Sequence, residues 1–330
     1  MATSVGKDLV SIQILTESGA QYSEIVGFMY VFNLIVGTGA LTMPAAFKEA
    51  GWLLSLLAII VLAFMSFMTL TFMTETMAIS NAKLRLQQVL SQSTVKEEPV
   101  DALVNSDERQ PLLKSQVTYS EIKPSFEITQ RVEMGTMAVM YFNRVGMIFF
   151  HLCIIIYLYG DLAIYAAAVP KSLRDVVCTY NSSINETLSD DDPCWPGSVT
   201  VNRMNAYRIF VAVFVVLLGP FTFFNVQKTK YLQILTSAAR WIAFLMMIIL
   251  TCIRLAEGKG QGNPVVADIS GVPNLFGVCV YSFMCHHSLP SLITPIKNKS
   301  RLLPILAGNY SMILVFYLVL SFTAVYHQGH

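Results

Sequence analysis

Phe32-Asn33-Leu34-Ile35-Val36-Gly37-Thr38-Gly39-Ala40-Leu41-Thr42-Met43-Pro44 lies inside an apolar run, Ile25 to Phe47, that is long enough to cross a bilayer yet poorly suited to remain one helix. Two glycines one residue apart, an asparagine four before the first and a proline five after the second all fall at membrane depth. Glycine weakens the helical ladder through its backbone freedom, proline through its missing N–H. Backbone groups released inside hydrocarbon must be buried in protein or line a wet cavity, because lipid offers them no partner. A break here predicts a binding place near the midplane, where a half-helix N-terminus meets an anionic group and freed carbonyls hold a cation. Close helix packing through small residues would use the same glycines and Thr38, and is the plainer reading.

The chain around this run has 330 residues, 54% hydrophobic and only 13% charged, with a mean hydropathy of +0.56. Soluble domains carry roughly a quarter charged residues, so most of this chain is not solvated by water. A net charge of +1 supplies no concentrated basic face for nucleic acid. A hydrocarbon core about 30 Å thick takes about 20 apolar residues in helical form. Seven runs qualify: residues 25–47, 52–77, 145–169, 206–224, 232–256, 272–296 and 302–326. One such run could be a buried core helix, but seven exceed what the remaining polar segments can wrap. The expected fold class is an all-α, multi-spanning membrane protein of about seven transmembrane helices, with 24–330 as the membrane domain. Residues 1–23 are polar and are expected to form a cytosolic tail without a cleavable signal, the first span serving as the insertion signal.

Two hydrophilic segments separate the spans. Residues 80–130 are rich in Ser, Gln, Glu, Lys and Pro, and are expected to form a disordered cytosolic loop. At its end Phe126, Ile128, Val132, Met137 and Met140 recur at near-helical spacing, which predicts an interfacial helix leading into the third span, or else a cytosolic extension of that helix. Residues 171–205 hold two glycosylation acceptor patterns, Asn181-Ser182-Ser183 and Asn185-Glu186-Thr187, bracketed by Cys178 and Cys194. Cysteines flanking acceptor sites between spans fit an oxidising compartment, so this loop is expected to be lumenal, glycosylated and disulfide-bonded. Cys153, Cys252, Cys279 and Cys285 fall in spans and are expected to be reduced. Counting from the exported loop places the N-terminus in the cytosol, and Lys/Arg asymmetry agrees weakly.

The sixth run reads Gly277-Val278-Cys279-Val280-Tyr281-Ser282-Phe283-Met284-Cys285-His286-His287-Ser288-Leu289-Pro290, a polar cluster closed by proline inside an apolar stretch. No set of four ligands at recognised spacing surrounds Cys285 and His286, so no metal is expected. No nucleophile–base pair is present either, so an enzyme is not expected. Two discontinuous helices five positions apart in span order are what an inverted five-helix repeat predicts. Asp161 is an intramembrane acid and a candidate proton relay, or else a solvated interface residue. Glu75 and Arg144 lie near span ends and are expected to snorkel. Arg240, about a third of the way into the fifth span, is expected to face the bundle or an inner vestibule.

The run from Asn33 to Gly39 followed by Leu41 and Pro44 resembles the first-helix motif of the amino acid/auxin permease family, within the amino acid–polyamine–organocation superfamily. Phe283-Met284-Cys285-His286 with Pro290 and Pro295 is similar to its sixth-helix signature. Three longer stretches, Leu158 to Pro170, Gly219 to Phe224 and Gln227 to Ser237, resemble one branch of that family. The resemblance runs from about Ser23 to the end, apart from the cytosolic loop and much of the glycosylated one.

The resemblance implies a five-plus-five inverted repeat with broken helices 1 and 6, and amino acid transport coupled to Na+ or H+, with no other cofactor. It implies a substrate site of Gly37, Thr38 and Gly39 with Ser282, Phe283, Cys285 and His286, and an ion site at Asn33 and Gly37. Relatives take further sodium ligands from an eighth helix. Seven spans stop within the second repeat, so the chain is expected to be truncated there. Glu108 with Leu112-Leu113 resembles an acidic dileucine signal, and Tyr119 to Ile122 a tyrosine-based one, as does Tyr22 to Ile25. These imply clathrin-adaptor recognition and an endosomal, lysosomal or plasma membrane. A small-molecule substrate and the bilayer are the other expected partners. A transporter-like amino acid sensor or scaffold is the alternative. A seven-helix receptor is a third, and would put Asn181 and Asn185 in the cytosol.

Overall fold

The computed structural model describes residues 21–95, 126–179, 189–195, 201–220, 230–258 and 265–327. Its helices in chain order are α1 (Glu24–Ile35), α2 (Gly39–Ala50), α3 (Trp52–Val95), α4 (Met134–Tyr141), α5 (Arg144–Val177), α6 (Arg203–Leu218), α7 (Lys230–Ala256), α8 (Val272–Ser282), α9 (Leu289–Ile293) and α10 (Leu302–His327). Short 3-10 turns occupy Ile269–Gly271, His286–Ser288 and Lys299–Arg301. Among the described residues, β pairing is limited to two isolated bridges, Tyr22 with Ile296 and Pro193 with Asn202.

The helices follow the apolar runs and stop at their breakers. Val36, Gly37 and Thr38 are not helical, so the first run becomes α1 and α2. Phe283, Met284 and Cys285 interrupt the sixth run between α8 and the 3-10 turn before α9. Among the described residues, four uninterrupted helices are long and apolar enough to cross a membrane, and counting α1 with α2 as one span makes five. Two of the seven expected runs fall short for visible reasons: the sixth is interrupted, and α6 has 16 residues before a stretch, 221–229, outside the described set.

Surface chemistry makes the case for lipid. On α5, Phe149, Ile155, Ile156, Tyr159 and Leu162 are all exposed, Tyr159 by 73%. Burying one such side chain is worth about 1.5–3 kcal/mol, so water would penalise this face heavily while hydrocarbon would not.

Three boundaries differ from the sequence reading. Residues 80–95 are helical, the C-terminal end of α3, not disordered. Good helix formers (Ala82, Lys83, Leu84, Arg85, Leu86) continue the turn there, and Ser80, Asn81 and Leu84 are buried. Residues 126–133 are irregular, with a bend at Gln130, and not an interfacial helix, and α4 begins only at Met134. This segment is held by side chains of α3. Asn81 Oδ1 accepts from the Thr129 and Gln130 amides at 3.1 and 2.8 Å, and its Nδ2 donates to the Gln130 carbonyl at 3.1 Å. Finally, α5 runs through Pro170 to Val177, so residues 171–177 expected in the exported loop are helix. Proline removes one bond of the ladder without ending the helix.

The chain divides into two compact units. The first comprises Met1–Ile35, Ile59–Tyr141 and Phe283–Val315; the second comprises Val36–Ala58, Phe142–Ser282 and Phe316–His330. In the first, α1 packs on α9. The Tyr22 amide donates to the Pro295 carbonyl at 3.1 Å, and the Lys297 amide to the Tyr22 carbonyl at 3.2 Å. In the second, α2 packs on α8, and α5 on α6. Each unit thus takes one half of each interrupted run.

One end of the α2–α8 pair is tied by backbone. Trp52 and Leu53 amides donate to the Val265 and Val266 carbonyls at 3.0 Å, and the Asp268 amide donates to Ala50 at 2.8 Å. Gly51 has φ +86°, and a Cβ there would meet the Ala267 backbone at 2.7 Å, so the turn requires glycine. The Ser270 hydroxyl and amide hold the exposed Asp268 carboxyl below its usual range.

The α5–α6 junction carries the Cys178–Cys194 disulfide, with Cα atoms 4.4 Å apart. Ala206, Val201 and Phe210 pack around it. Beside it, buried Arg174 bridges Asp190 at 2.7 Å and Asp175 at 2.9 Å, and buried Arg203 bridges Asp175 at 2.6 Å.

Candidate functional site

In the second unit, the freed backbone of both interruptions is met by side chains. Arg240 of α7 donates from Nη1 to the Val36 carbonyl. Tyr317 of α10 donates to the Ser282 carbonyl at 3.3 Å. Each is a backbone acceptor that no continuing helix satisfies, and at membrane depth such groups need protein partners. Trp241 and Phe244 of α7 stack edge-on against Phe316 of α10, with ring centroids 5.6 and 5.2 Å apart, which fixes Arg240 and Tyr317 on neighbouring helices.

Thr38 is the N-cap of α2, but its side chain does not bond the α2 amides. Its hydroxyl instead pairs with the Tyr281 hydroxyl of α8. Tyr165 of α5 is a further hydrogen-bonding neighbour of Tyr281, and Asp161 lies near enough for its charge to act on the same hydroxyl. Gly37 faces this group: a Cβ there would stand 2.8 Å from Tyr165 Oη. Gly39 lies against α8, where a Cβ would come within 2.8 Å of Ser282 Cα. The expected site residues Gly37, Thr38, Gly39 and Ser282 are therefore gathered in one unit, beside a Tyr165–Tyr281–Asp161 group and Arg240.

Phe283, Cys285 and His286 belong to the first unit, as does Asn33, which sits half-buried in the last turn of α1. There Ser66 of α3 donates to the Phe283 carbonyl at 3.1 Å and lies 3.0 Å from the Tyr310 hydroxyl. Tyr310 also contacts Cys285 Sγ at 3.3 Å and stacks on the Phe283 ring, with centroids 5.9 Å apart. His286 Nε2 lies 3.0 Å from Thr69 Oγ1 and 3.3 Å from the Ser66 carbonyl. A carbonyl only accepts, and Thr69 already donates to the Met65 and Ser66 carbonyls, so this pattern assigns the ring proton to Nε2.

Sequence reasoning did not single out Ser66, Thr69, Tyr165, Tyr281, Tyr310 or Tyr317. Their signal was polar atoms at intramembrane positions, and Tyr310 and Tyr317 fall seven apart, on one face of α10. Among the described residues no group of three or more His, Cys, Asp or Glu side chains comes together as a metal site. Asn181, Asn185, Glu108, Leu112, Leu113, Tyr119 and Ile122 lie outside the described residues. Tyr22, read as the start of a third sorting pattern, is not presented as one. Its hydroxyl donates to the Leu292 carbonyl, its backbone pairs with residues 295–297, and Glu24 and Ile25 are already helical. Burial, and then the charge of Tyr30, push its phenol above the ordinary range.

Long lipid-suited helices, two interrupted runs and side chains that reach into both interruptions define an integral membrane protein built around non-helical intramembrane backbone. Residues 21–87 and 119–326 match the family described as transmembrane amino acid transporter protein, and the chain belongs to that family. It is 53% identical to transmembrane protein 104 of Homo sapiens over 94% of this chain and 65% of that protein. It is 43% identical to the transmembrane protein 104 homolog of Drosophila melanogaster, with 94% and 65% covered, and 40% identical to that of Caenorhabditis elegans, with 96% and 60% covered. The chain thus spans a little under two thirds of the length of these relatives. No solved structure matches it.

Proposed function

We propose that this chain is part of a secondary transporter for amino acids or similar small polar solutes, working by alternating access and driven by a proton or a sodium ion. The observation that carries the reading is the interruption at Val36–Thr38, where non-helical backbone meets the Thr38–Tyr281 pair. A solute carboxylate is suited to the amides opening α2, because a half-helix N-terminus carries partial positive charge. In this reading Gly37, Thr38, Gly39 and Ser282 bind solute. Phe283, Cys285 and His286 are assigned the same role by the family resemblance, and Asn33 with Gly37 the ion. Asp161 is the proton relay.

Family membership supports the solute class, and the way each unit takes one half of each interrupted run supports the five-plus-five inverted repeat with broken helices 1 and 6. Seven spans, a cytosolic N-terminus and a lumenal loop joining α5 to α6 complete the topology, with delivery to endolysosomal membranes through the cytosolic loop. The Cys178–Cys194 bond supports the lumenal side for that loop.

Counterflow of labelled amino acids into liposomes holding the full-length protein tests the reading, with Gly37→Leu as the blocked form. Uptake by the parent protein and none by Gly37→Leu is expected. Equal uptake by the two would remove the site, and solute binding without counterflow would favour a sensor.

A further inference from the structure

We propose that α3 is a dimerisation helix, whose exposed apolar seam pairs in parallel with α3 of a second copy of this chain. The inference goes beyond the transporter reading and does not rest on it.

α3 has 44 residues, so at 1.5 Å per residue it is about 66 Å long, twice the roughly 30 Å of a hydrocarbon core. Its C-terminal part therefore leaves the lipid. Ala63, Leu70, Met77 and Leu84 recur every seven residues along it and are buried. Two positions on, about 200° round the helix, Met65, Phe72, Ile79 and Leu86 recur with the same period and are 45–56% exposed. Val61, Met68, Glu75, Ala82 and Val89 fall at the intervening spacings of three and four, and Glu75 is the one polar residue of the row. A seven-residue apolar repeat sustained over about four heptads is the pattern of a supercoiled helix pair. Both seams belong to the first unit. One is filled inside it, and the other is uncovered among the described residues.

Lipid accounts for the exposed seam only within the bilayer. Towards the C-terminal end, Leu86 and Val89 continue it where the helix has left hydrocarbon, and nearby charges do not screen them. Lys83 donates to the Met140 carbonyl and lies over the Tyr141 ring, and Arg85 bonds the Glu127 carbonyl and Thr129.

Three features select a second copy as the occupant. Copies inserted the same way hold α3 in the same direction, so they meet in parallel and identical seams pair in register. With Lys83 and Arg85 turned to the 126–141 segment, no like charges meet across the end in water. The half-exposed seam side chains offer roughly 600–700 Å² per copy, close to the ~800 Å² per partner of a standard interface. Inside hydrocarbon, lipid competes for the seam, so that part adds packing while the end in water supplies the drive. Glu75, facing its twin, is a single polar core position of the kind that fixes register.

The test is oxidative crosslinking of the full-length protein in membranes. Leu86→Cys and Val89→Cys are expected to give a disulfide-linked dimer well above the parent, whose own free cysteines set the background. Gln87→Cys, also exposed but one step round from the seam, should not. Single-molecule photobleaching at varied protein density should find the parent dimeric. Ile79→Lys with Leu86→Lys should weaken that dimer roughly a hundredfold or more, because each pair loses four apolar side chains from its seam. A monomeric parent overturns the proposal, as does a dimer indifferent to the double change, or equal crosslinking at positions 86, 87 and 89. A Leu86→Cys protein crosslinked only within its own chain overturns it too, by showing that the chain covers the seam itself. If the double lysine variant does not fold, the cysteine variants decide alone.

Discussion

Gly39 of α2 lies so close to Ser282 of α8 that a methyl group on the glycine would stand 2.8 Å from the serine Cα. The obstructing atom is backbone, so the helices themselves would have to part. Gly39→Ala is expected to destabilise the protein by about 1–3 kcal/mol, the usual cost of overpacking. Gly277, on the same α8, has nothing within 4 Å of the corresponding position. Gly277→Ala should be neutral or slightly stabilising, because alanine is the better helix former. Melting of the two variants in detergent checks the contrast, and equal behaviour would show that the Gly39 contact is not tight.

How the sequence came to mark these places is a matter of range. Gly37, Gly39 and Pro290 are local breakers, so both interruptions could be read from neighbours a few residues away. Partners could not. Ser66 meets the Phe283 carbonyl across 217 residues, and no local periodicity encodes that pairing. Composition also misled at residues 80–95, where polar residues that suit a solvated loop are equally good helix formers on a rod already begun in the membrane. Pro170 misled because a long helix can lose one rung and continue.

The Cys178–Cys194 bond closes a separation of 16 residues, for which loop-closure entropy gives about 3 kcal/mol of stabilisation. Reduction of the parent protein, or replacement of both cysteines by alanine, is expected to lower its melting temperature, and reductant should have no further effect on the double variant. Arg174 and Arg203 share Asp175 next to this bond, so Asp175→Asn should destabilise the same end by weakening two ion pairs of buried arginines. A melting curve indifferent to reductant would mean that the bond constrains nothing.

Asn81 is a bracket for the irregular segment ahead of α4. It bonds Thr129 and Gln130 through both ends of its amide, and Arg85 adds bonds to the Glu127 carbonyl at 2.8 Å and Thr129 Oγ1 at 2.7 Å. Asn81→Ala strips partners from two amides and a carbonyl, a local loss of about 1–3 kcal/mol. Since cleavage of a folded segment follows its opening equilibrium, tryptic cutting after Arg131 should speed up by about tenfold or more. Asn81→Asp should fall between the two, because it keeps the acceptor and loses the donor. Unchanged cleavage in both would mean that the segment is held elsewhere.

Ser66 and Tyr310 form the support under the second interruption. Ser66 gives its proton to the Phe283 carbonyl, so the hydroxyl of Tyr310, 3.0 Å away, is the donor between the two. Tyr310 in turn stacks on the Phe283 ring and touches Cys285. Ser66→Ala leaves a carbonyl and a phenol without their partner in a low-dielectric setting, and should cost about 1–3 kcal/mol. Tyr310→Phe keeps the stacking and loses only the hydroxyl, so its cost should be smaller. Because the two side chains share one bond, the double variant should be more stable than the sum of single losses predicts, by about 0.5–1.5 kcal/mol. The cycle separates a network from two independent contacts. Strict additivity would mean that the Phe283 carbonyl finds another donor when Ser66 is gone, and the interruption would then owe its shape to the backbone rather than to α3.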